Sequence, residues 1–177
     1  MRKLAEVEAL IAWVVEEAGR LDCLVNNAGV GTFAPIDEIS PESFREVLET
    51  NLFGVYYAIH AVAPVMKRQG RGWIVNIASL AGKNPFAGGA AYNASKFGLM
   101  GMSEAAMLDL RHSGIRVAAI LPGSVDTEFR TAGGEAGTDW MLAPEDVART
   151  VVDLLAYPDR ALPSRIELRP TRPPKRG

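Results

Sequence analysis

Residues 79–96 read SLAGKNPFAGGAAYNASK, and three of their side chains predict a catalytic centre. Tyr92 and Lys96 are four residues apart, so on a helix they share one face with Cβ atoms roughly 5–6 Å apart. Ser79 follows the apolar run 73–78, WIVNIA, which predicts a buried parallel strand. Because ligands of open α/β sheets bind at the carboxyl ends of the strands, Ser79 is expected to lie at a binding site.

A lysine beside a tyrosine makes a usable proton shuttle. A free phenol has a pKa of about 10, and a nearby ammonium group favours the phenolate, so Lys96 is expected to lower the pKa of Tyr92. General acid–base catalysis is most efficient when that pKa lies near the working pH. Ser79 would hold the same substrate oxygen, so that a carbonyl is polarised or an alcohol deprotonated. Neither group carries a hydride, and the site therefore implies a nicotinamide cofactor.

Plainer interpretations of the same residues stay open. A Tyr-x-x-x-Lys pair also occurs on ordinary helices, and a serine after a strand is usually a helix cap or a turn residue. The catalytic interpretation depends on agreement from the rest of the chain.

Length and composition bound the class of protein. The chain has 177 residues, 48% of them hydrophobic, and a net charge of −2, which predicts one domain and no nucleic-acid partner. Cys23 is the only cysteine, which excludes an internal disulfide and favours a cytoplasmic setting. His60 and His112 lack partners at ligand spacing, so no metal site is predicted. No apolar run approaches the ~18 residues of a membrane span, so no membrane partner is predicted either.

The first half of the chain predicts a helix, a strand and a second, longer helix. Leu4–Ala18 is apolar with a period near 3.6, and residues 21–25 predict a short buried strand. The turn that follows, NNAG at 26–29, is free of bulky side chains, so either a ligand approaches its backbone or it is only a turn. A long helix is then predicted from the Ser40 cap to Gly70, and Pro64 is expected to kink or restart it near its end.

The second half repeats the alternation. A helix is predicted from residue 90 to about 112, a strand over 115–121, a ligand loop over 122–127, a helix from 144 to about 158 and a last strand over 164–168. Residues 128–142 are rich in glycine, which suits either a mobile lid over a substrate or an ordinary surface loop. The alternation predicts a doubly wound α/β fold, a parallel sheet with helices on both faces. The domain spans 1–168, and 169–177 form a basic, proline-rich tail.

The long helix after the NNAG turn contains Asn51, a mediocre helix former within an apolar stretch. A buried asparagine needs a partner. Asn51 is therefore a candidate for a buried polar or catalytic network, although it could also be a polar surface residue.

Over essentially all of its length the chain resembles the short-chain dehydrogenase/reductase family. The resemblance is carried by NNAG after a strand, Asn51 in the next helix, Ser79 thirteen residues before Tyr92, the Tyr-x-x-x-Lys pair, and Pro-Gly followed four residues later by Thr127. It implies a Rossmann-like fold and an NAD- or NADP-dependent exchange of a carbonyl and an alcohol on a small molecule.

The resemblance also implies a role for each matching residue. Tyr92 is the implied acid–base residue, which Lys96 tunes while it binds the nicotinamide ribose. Ser79 orients the carbonyl, and Asn51 holds a water that links Lys96 to solvent. The implied cofactor contacts are Asn26, Ala28, Gly29, Tyr92, Lys96, Pro122, Gly123 and Thr127. Residues 83–86 and 128–142 shape the implied substrate pocket. Within them, an apolar or aromatic carbonyl compound is indicated by Phe86, Trp140 and Met141.

One part of the family pattern is not seen. Family members begin with a strand, a glycine-rich turn and a helix that bind the cofactor pyrophosphate, and nothing of this kind precedes Leu4. The chain is expected to be the C-terminal two-thirds of the fold, and the choice between NAD and NADP stays open. The strand at 21–25 is expected to have a bare edge, which would make the isolated chain oligomeric or poorly soluble.

Several alternatives follow. An incomplete sequence, a start placed too far downstream and a true truncation all fit. Members of the family assemble through the two long helices, so a homodimer or homotetramer is expected. A truncated protein could keep that surface for interaction alone, without cofactor or catalysis. An epimerase or dehydratase on the extended relatives of this fold is disfavoured because the chain lacks a large C-terminal substrate domain.

Overall fold

The computed structural model describes residues 2–127, 129 and 139–174. Within these residues, four parallel strands form one sheet in the order β1-β2-β3-β4. The strands are β1 (Cys23–Asn26), β2 (Gly72–Ile77), β3 (Ile115–Pro122) and β4 (Arg165–Leu168). The helices are α1 (Leu4–Ala18), α2 (Pro41–Leu48), α3 (Gly54–Gln69), α4 (Ala90–Leu110) and α5 (Pro144–Leu155). The predicted Rossmann-like α/β fold is confirmed.

The two faces of the sheet are covered unequally. One face packs against α1, α3 and α4, with Ile74 of β2 and Val117 of β3 among its buried residues. Among the described helices, α5 packs against the other face, where Leu154 meets Val75 and Ile120. From β1 to β4, each new strand is added on the same side of the strand before it. However, α5 lies on the face of the sheet opposite α3 and α4. The last crossover therefore has the opposite hand to the two before it, an exception to the usual right-handed rule.

The long helix after the first strand begins where it was predicted to begin. The Ser40 hydroxyl accepts a hydrogen bond from the Ser43 amide at 3.1 Å. The helix does not restart at Pro64, because α3 continues through that residue to Gln69, and a kink at Pro64 stays a prediction. The break is instead a single π-helical turn, Glu49–Phe53, which contains Asn51. Such a turn holds one extra residue and is often found where a side chain is needed outside the regular helix.

The outer edge of β1 is open. β1 pairs in register with β2, from Cys23 opposite Trp73 to Asn26 opposite Asn76, and with no other described strand. Val25 in the middle of β1 is 43% exposed. The predicted bare edge is therefore present in the described structure.

Candidate active site

The carboxyl ends of three neighbouring strands meet at one edge of the sheet. Asn26 ends β1, Ser79 follows β2 by two residues, and Pro122 ends β3. The amino-terminal part of α4 adjoins this edge and carries Tyr92 and Lys96. The structure thus brings together the serine, tyrosine and lysine that the sequence predicted, at the position where α/β sheets bind ligands.

Ser79 has two roles in this arrangement. Its hydroxyl caps the short helical turn Leu80–Gly82 by accepting a hydrogen bond from the Ala81 amide at 3.1 Å. The same side chain interacts with the Tyr92 hydroxyl, which by itself favours a lower pKa for that tyrosine. The interpretation as a cap and the interpretation as a catalytic neighbour are therefore compatible.

Lys96 is buried and has few partners. Its Nζ donates to the carbonyl oxygen of Ile77 at 3.0 Å and lies 5.6 Å from the centroid of the Tyr92 ring. Burial lowers the pKa of Lys96 to about 8. Among the described residues, Ile77 is the only hydrogen-bond acceptor on this ammonium group. N–H donors remain for a ligand that carries hydroxyl groups.

The pKa of Tyr92 moves in the direction opposite to the prediction. Burial raises it above its usual value, and the interaction with Ser79 only partly opposes the rise. The predicted lowering by Lys96 is therefore wrong. The lysine donates to Ile77, and its own buried charge is disfavoured, so desolvation of the phenolate dominates.

Asn51 forms the buried polar network that its position in the sequence indicated. Its Oδ1 accepts from the Val30 amide at 2.8 Å, and its Nδ2 donates to the Val30 carbonyl at 2.8 Å and to Ser95 Oγ at 3.1 Å. Ser95 in turn donates to the Tyr92 carbonyl at 2.7 Å. Asn51 thus ties the loop after NNAG to the helix that carries Tyr92. Both amide protons go to protein acceptors, and the water-holding role stays a prediction.

Sequence reasoning missed a second buried network. Asn26 Nδ2 donates to Asn76 Oδ1 at 2.8 Å, and Asn76 Nδ2 donates to Ser103 Oγ at 2.8 Å. Asn26 Oδ1 is buried and has no partner within the described part of the chain. The signal was available, because Asn76 lies inside the apolar run WIVNIA, where a polar side chain needs a partner.

An aromatic cluster surrounds the Tyr92 ring. The Phe33 and Phe129 rings each lie 5.6 Å from Tyr92, and Phe86 lies 5.8 Å from Phe33, all measured between ring centroids. Phe86 was predicted as a substrate residue, and Phe129 falls in the predicted lid. Phe33 was missed, since a single phenylalanine in a loop has no periodic pattern to mark it.

The other predicted cofactor positions line the same edge. Ala28 is exposed and Gly29 half-buried, and a Cβ at Gly29 would lie 3.3 Å from Asn51 Oδ1. The Gly123 amide donates to the Leu168 carbonyl at 2.8 Å, which joins the loop after β3 to β4. Thr127 is exposed. Their cofactor contacts stay predictions.

The segment predicted as a lid is described only in part. Residues 128 and 130–138 lie outside the described residues, as do 175–177 of the tail. Trp140 and Met141 are half-buried and immediately precede Leu142. The Leu142 amide donates to the Ser124 carbonyl at 3.0 Å, and its carbonyl accepts from Asp126 at 2.9 Å. The segment therefore returns to the loop after β3, and the substrate roles of Trp140 and Met141 stay predictions.

Comparison with known proteins places this geometry in a family. The family model described as short chain dehydrogenase matches residues 1–136. The chain belongs to the short-chain dehydrogenase family. It is 36% identical over 168 residues to the sepiapterin reductase of Chlorobaculum tepidum, covering 95% of this chain and 69% of that protein. It is also 36% identical over 154 residues to a 3-alpha-(or 20-beta)-hydroxysteroid dehydrogenase of Mycobacterium bovis, covering 87% and 55%.

Solved structures agree with this assignment. A metagenomic short-chain oxidoreductase in complex with NADP matches with a TM-score of 0.81 and 38% identity, over 97% of this chain and 72% of that one. The chain spans between 55% and 72% of the length of these relatives. Within the described residues, no helix is both long and apolar enough to cross a membrane.

Proposed function

We propose that this chain carries the catalytic centre of an NAD- or NADP-dependent oxidoreductase, cytoplasmic in setting, that interconverts a carbonyl and an alcohol on a small molecule. The observation that carries the proposal is the position of Lys96. Its buried ammonium group has no acidic partner among the described residues and lies beside Tyr92. Burying a charge without an opposite charge beside it is costly, and groups held at such a cost are concentrated at functional sites.

Tyr92 acts as the acid–base residue. In reduction its hydroxyl gives a proton to the substrate oxygen, and Ser79 donates a hydrogen bond to the same oxygen. The raised pKa of Tyr92 keeps the phenol protonated near neutral pH. The protonated phenol is the form that an acid needs in the reductive direction.

The residues present fit the nicotinamide half of the cofactor. Lys96 has spare N–H donors for ribose hydroxyls. The exposed Ala28, the half-buried Gly29 and the loop of Pro122, Gly123 and Thr127 lie at the same edge of the sheet. When bound, the reduced nicotinamide supplies the hydride, and the proton from Tyr92 completes the alcohol.

Asn51 is a positioning residue in this mechanism. It holds the Val30 backbone on one side and Ser95 on the other, and Ser95 bonds to the Tyr92 carbonyl. The cofactor loop and the catalytic helix are thereby fixed relative to each other. Such fixation is what keeps reacting groups within productive distance.

The partner of this chain is a second copy of itself, in a homodimer or homotetramer. The outer faces of α3 and α4 expose Tyr56 at 46%, Phe97 at 45% and Leu108 at 47%. Sedimentation velocity tests this, with Phe97→Glu expected to release monomers and Val152→Glu on α5 as the control. A stable, monodisperse wild-type monomer would count against the assembly.

Replacement of Tyr92 tests the proposed function. Wild-type chain is assayed for oxidation of NADPH and NADH with ketones and diketones, beside Tyr92→Phe and the control Tyr157→Phe, whose ring is exposed after α5. Turnover should fall about 10²–10⁴-fold in Tyr92→Phe, with sedimentation unchanged. Equal turnover in wild type and Tyr92→Phe would refute the role of Tyr92. A wild-type chain that assembles but neither binds nucleotide nor turns over would identify an interaction protein instead.

A further inference from the structure

Three phenylalanines form a wall on one side of the catalytic tyrosine. Phe33 comes from the loop after NNAG, Phe86 from the segment after Ser79, and Phe129 from the segment after β3. Phe33 lies within 6.4 Å of each of the other two between ring centroids, and its ring meets Tyr92 edge-on at an angle of 69°. Three separate loops therefore place aromatic rings at one point. We refer to Phe33, Phe86 and Phe129 as the aromatic wall.

The wall is adjacent to the reacting atoms. A carbonyl oxygen held by Tyr92 and Ser79 places the carbon and its substituents within a few ångströms of the tyrosine hydroxyl. Lys96, which donates to the Ile77 carbonyl, marks the polar side of the site. A substituent directed away from Lys96 would meet the wall, whose Phe33 and Phe129 rings lie 5.6 Å from the Tyr92 ring between centroids.

The rings of the wall are available to a ligand. They are 50%, 45% and 39% exposed for Phe33, Phe86 and Phe129, respectively, although each contacts another aromatic ring. Large apolar side chains are usually buried, and a clustered, half-exposed group beside a reactive centre marks a binding surface.

A glycine maintains the spacing of the wall. A Cβ at Gly31 would lie 2.6 Å from Phe129 Cζ and 2.9 Å from Phe33 Cζ, closer than side chains approach. The two rings therefore fill the space that a side chain at this position would need. Gly31→Ala would separate them without removing an aromatic group.

We propose that the site takes aryl carbonyl compounds, in which a flat aromatic ring is attached at or next to the carbonyl and packs against Phe33, Phe86 and Phe129. Aromatic pairs gain from edge-to-face and offset contacts beyond the area they bury, so the wall selects a flat ring over an alkyl group of similar size. This inference rests on the proposed function, in which Tyr92 and Ser79 hold the carbonyl oxygen.

The test uses two diketones that differ only in one substituent of similar size, 1-phenyl-1,2-propanedione with a flat aromatic ring and 1-cyclohexyl-1,2-propanedione with an alkyl ring. Binding of each is measured by saturation-transfer NMR and calorimetry to the full chain carrying Tyr92→Phe, with and without NADPH, so that turnover is not needed. Phe33→Ala is added to this background, with Phe33→Leu to keep volume without a ring. Ile36→Ala is the matched control, because Ile36 lies in the same loop and is 70% exposed.

The aryl diketone should bind at least tenfold more tightly than the alkyl one. Phe33→Ala should lower the ratio of the two dissociation constants roughly tenfold, since one aromatic contact changes affinity by about that factor. Phe33→Leu should remove most of it, and Ile36→Ala should have no effect. Equal binding of the two diketones, or a preference that Phe33→Ala leaves unchanged, would overturn the proposal. Aryl binding without turnover in wild type would refute the proposed function and leave the aryl preference standing.

Discussion

The two sides of Tyr92 are built differently. On the polar side, Lys96 and Asn51 are buried and their hydrogen bonds reach two other elements of the fold. On the aromatic side, Phe33 and Phe86 are about half exposed, and their rings lie 5.8 Å apart between centroids at an angle of 47°. In the proposed mechanism the polar side carries out the proton transfer and needs exact geometry. In the proposed binding mode the aromatic side selects the substituent of the substrate.

The largest effect is expected from removing the charge on the polar side. Lys96→Met should reduce turnover at least 100-fold, because the donors for the cofactor ribose and the partner of Tyr92 are both lost. The aryl preference should persist in the residual activity. Steady-state kinetics on both diketones measures turnover and the aryl preference in the same experiment. A loss of preference equal to the loss of turnover would mean that the two sides are not separable.

A second prediction concerns stability and follows from the burial of the same lysine. The pKa of Lys96 is about 8 in the folded protein against an ordinary value of 10.5. Between these values the unfolded chain binds more protons than the folded one, so the free energy of unfolding rises with pH across this window. The whole rise amounts to about 3 kcal/mol. Urea denaturation between pH 7.5 and 10.5 measures it.

Lys96→Met is the control for this pH dependence. The variant should lack the rise, because no lysine titrates at the site. A wild-type stability that falls or stays level over the same range would contradict the burial of a charged lysine here.

A third prediction concerns the hydrogen bonds that hold the polar side together. Asn51→Ala should cost about 2–3 kcal/mol of stability, because the Val30 amide and carbonyl lose their partner in a half-buried loop. Asn84→Ala is the matched control, since Asn84 is exposed and only its backbone is bonded. Chemical denaturation distinguishes them. Equal stabilities for the two variants would show that Asn51 does not tie the loop to α4.

The smallest of these effects is expected on the aromatic side. Phe33→Ala should admit water to Tyr92, so the pKa of Tyr92 should fall from its raised value toward that of a free phenol. The measurement is the pH dependence of alcohol oxidation, with Phe33→Leu as the variant that keeps Tyr92 covered. A rise, or no change, in the pKa would show that the wall does not desolvate the tyrosine.

The polar side was largely predictable from sequence. Tyr92 and Lys96 need a fixed spacing to act together, and an asparagine in an apolar stretch needs a partner, so both features are marked in the chain. Asn76 obeys the same rule and was overlooked. The direction of the Tyr92 pKa shift was not predictable, since it depends on how deeply the ring is buried.

Other features depend on tertiary contacts that leave no local pattern. The π-helical turn Glu49–Phe53 exists where Asn51 must reach Val30 and Ser95, and a sequence shows only a continuous helix with a proline farther on. The position of α5 on the opposite face is likewise hidden, because periodicity marks an apolar stripe and not the face of the sheet that it covers. Phe33 belongs to a loop whose neighbours come from distant segments.

The most direct test of the central claim is a calorimetric titration of the purified chain with NADPH and with NADH, repeated on Lys96→Met and Tyr92→Phe. The account predicts binding of at least one nucleotide to wild type, weakened about tenfold or more by Lys96→Met and little changed by Tyr92→Phe. Absence of binding, or binding that is the same in wild type and Lys96→Met, would contradict a nicotinamide site at the polar side of Tyr92.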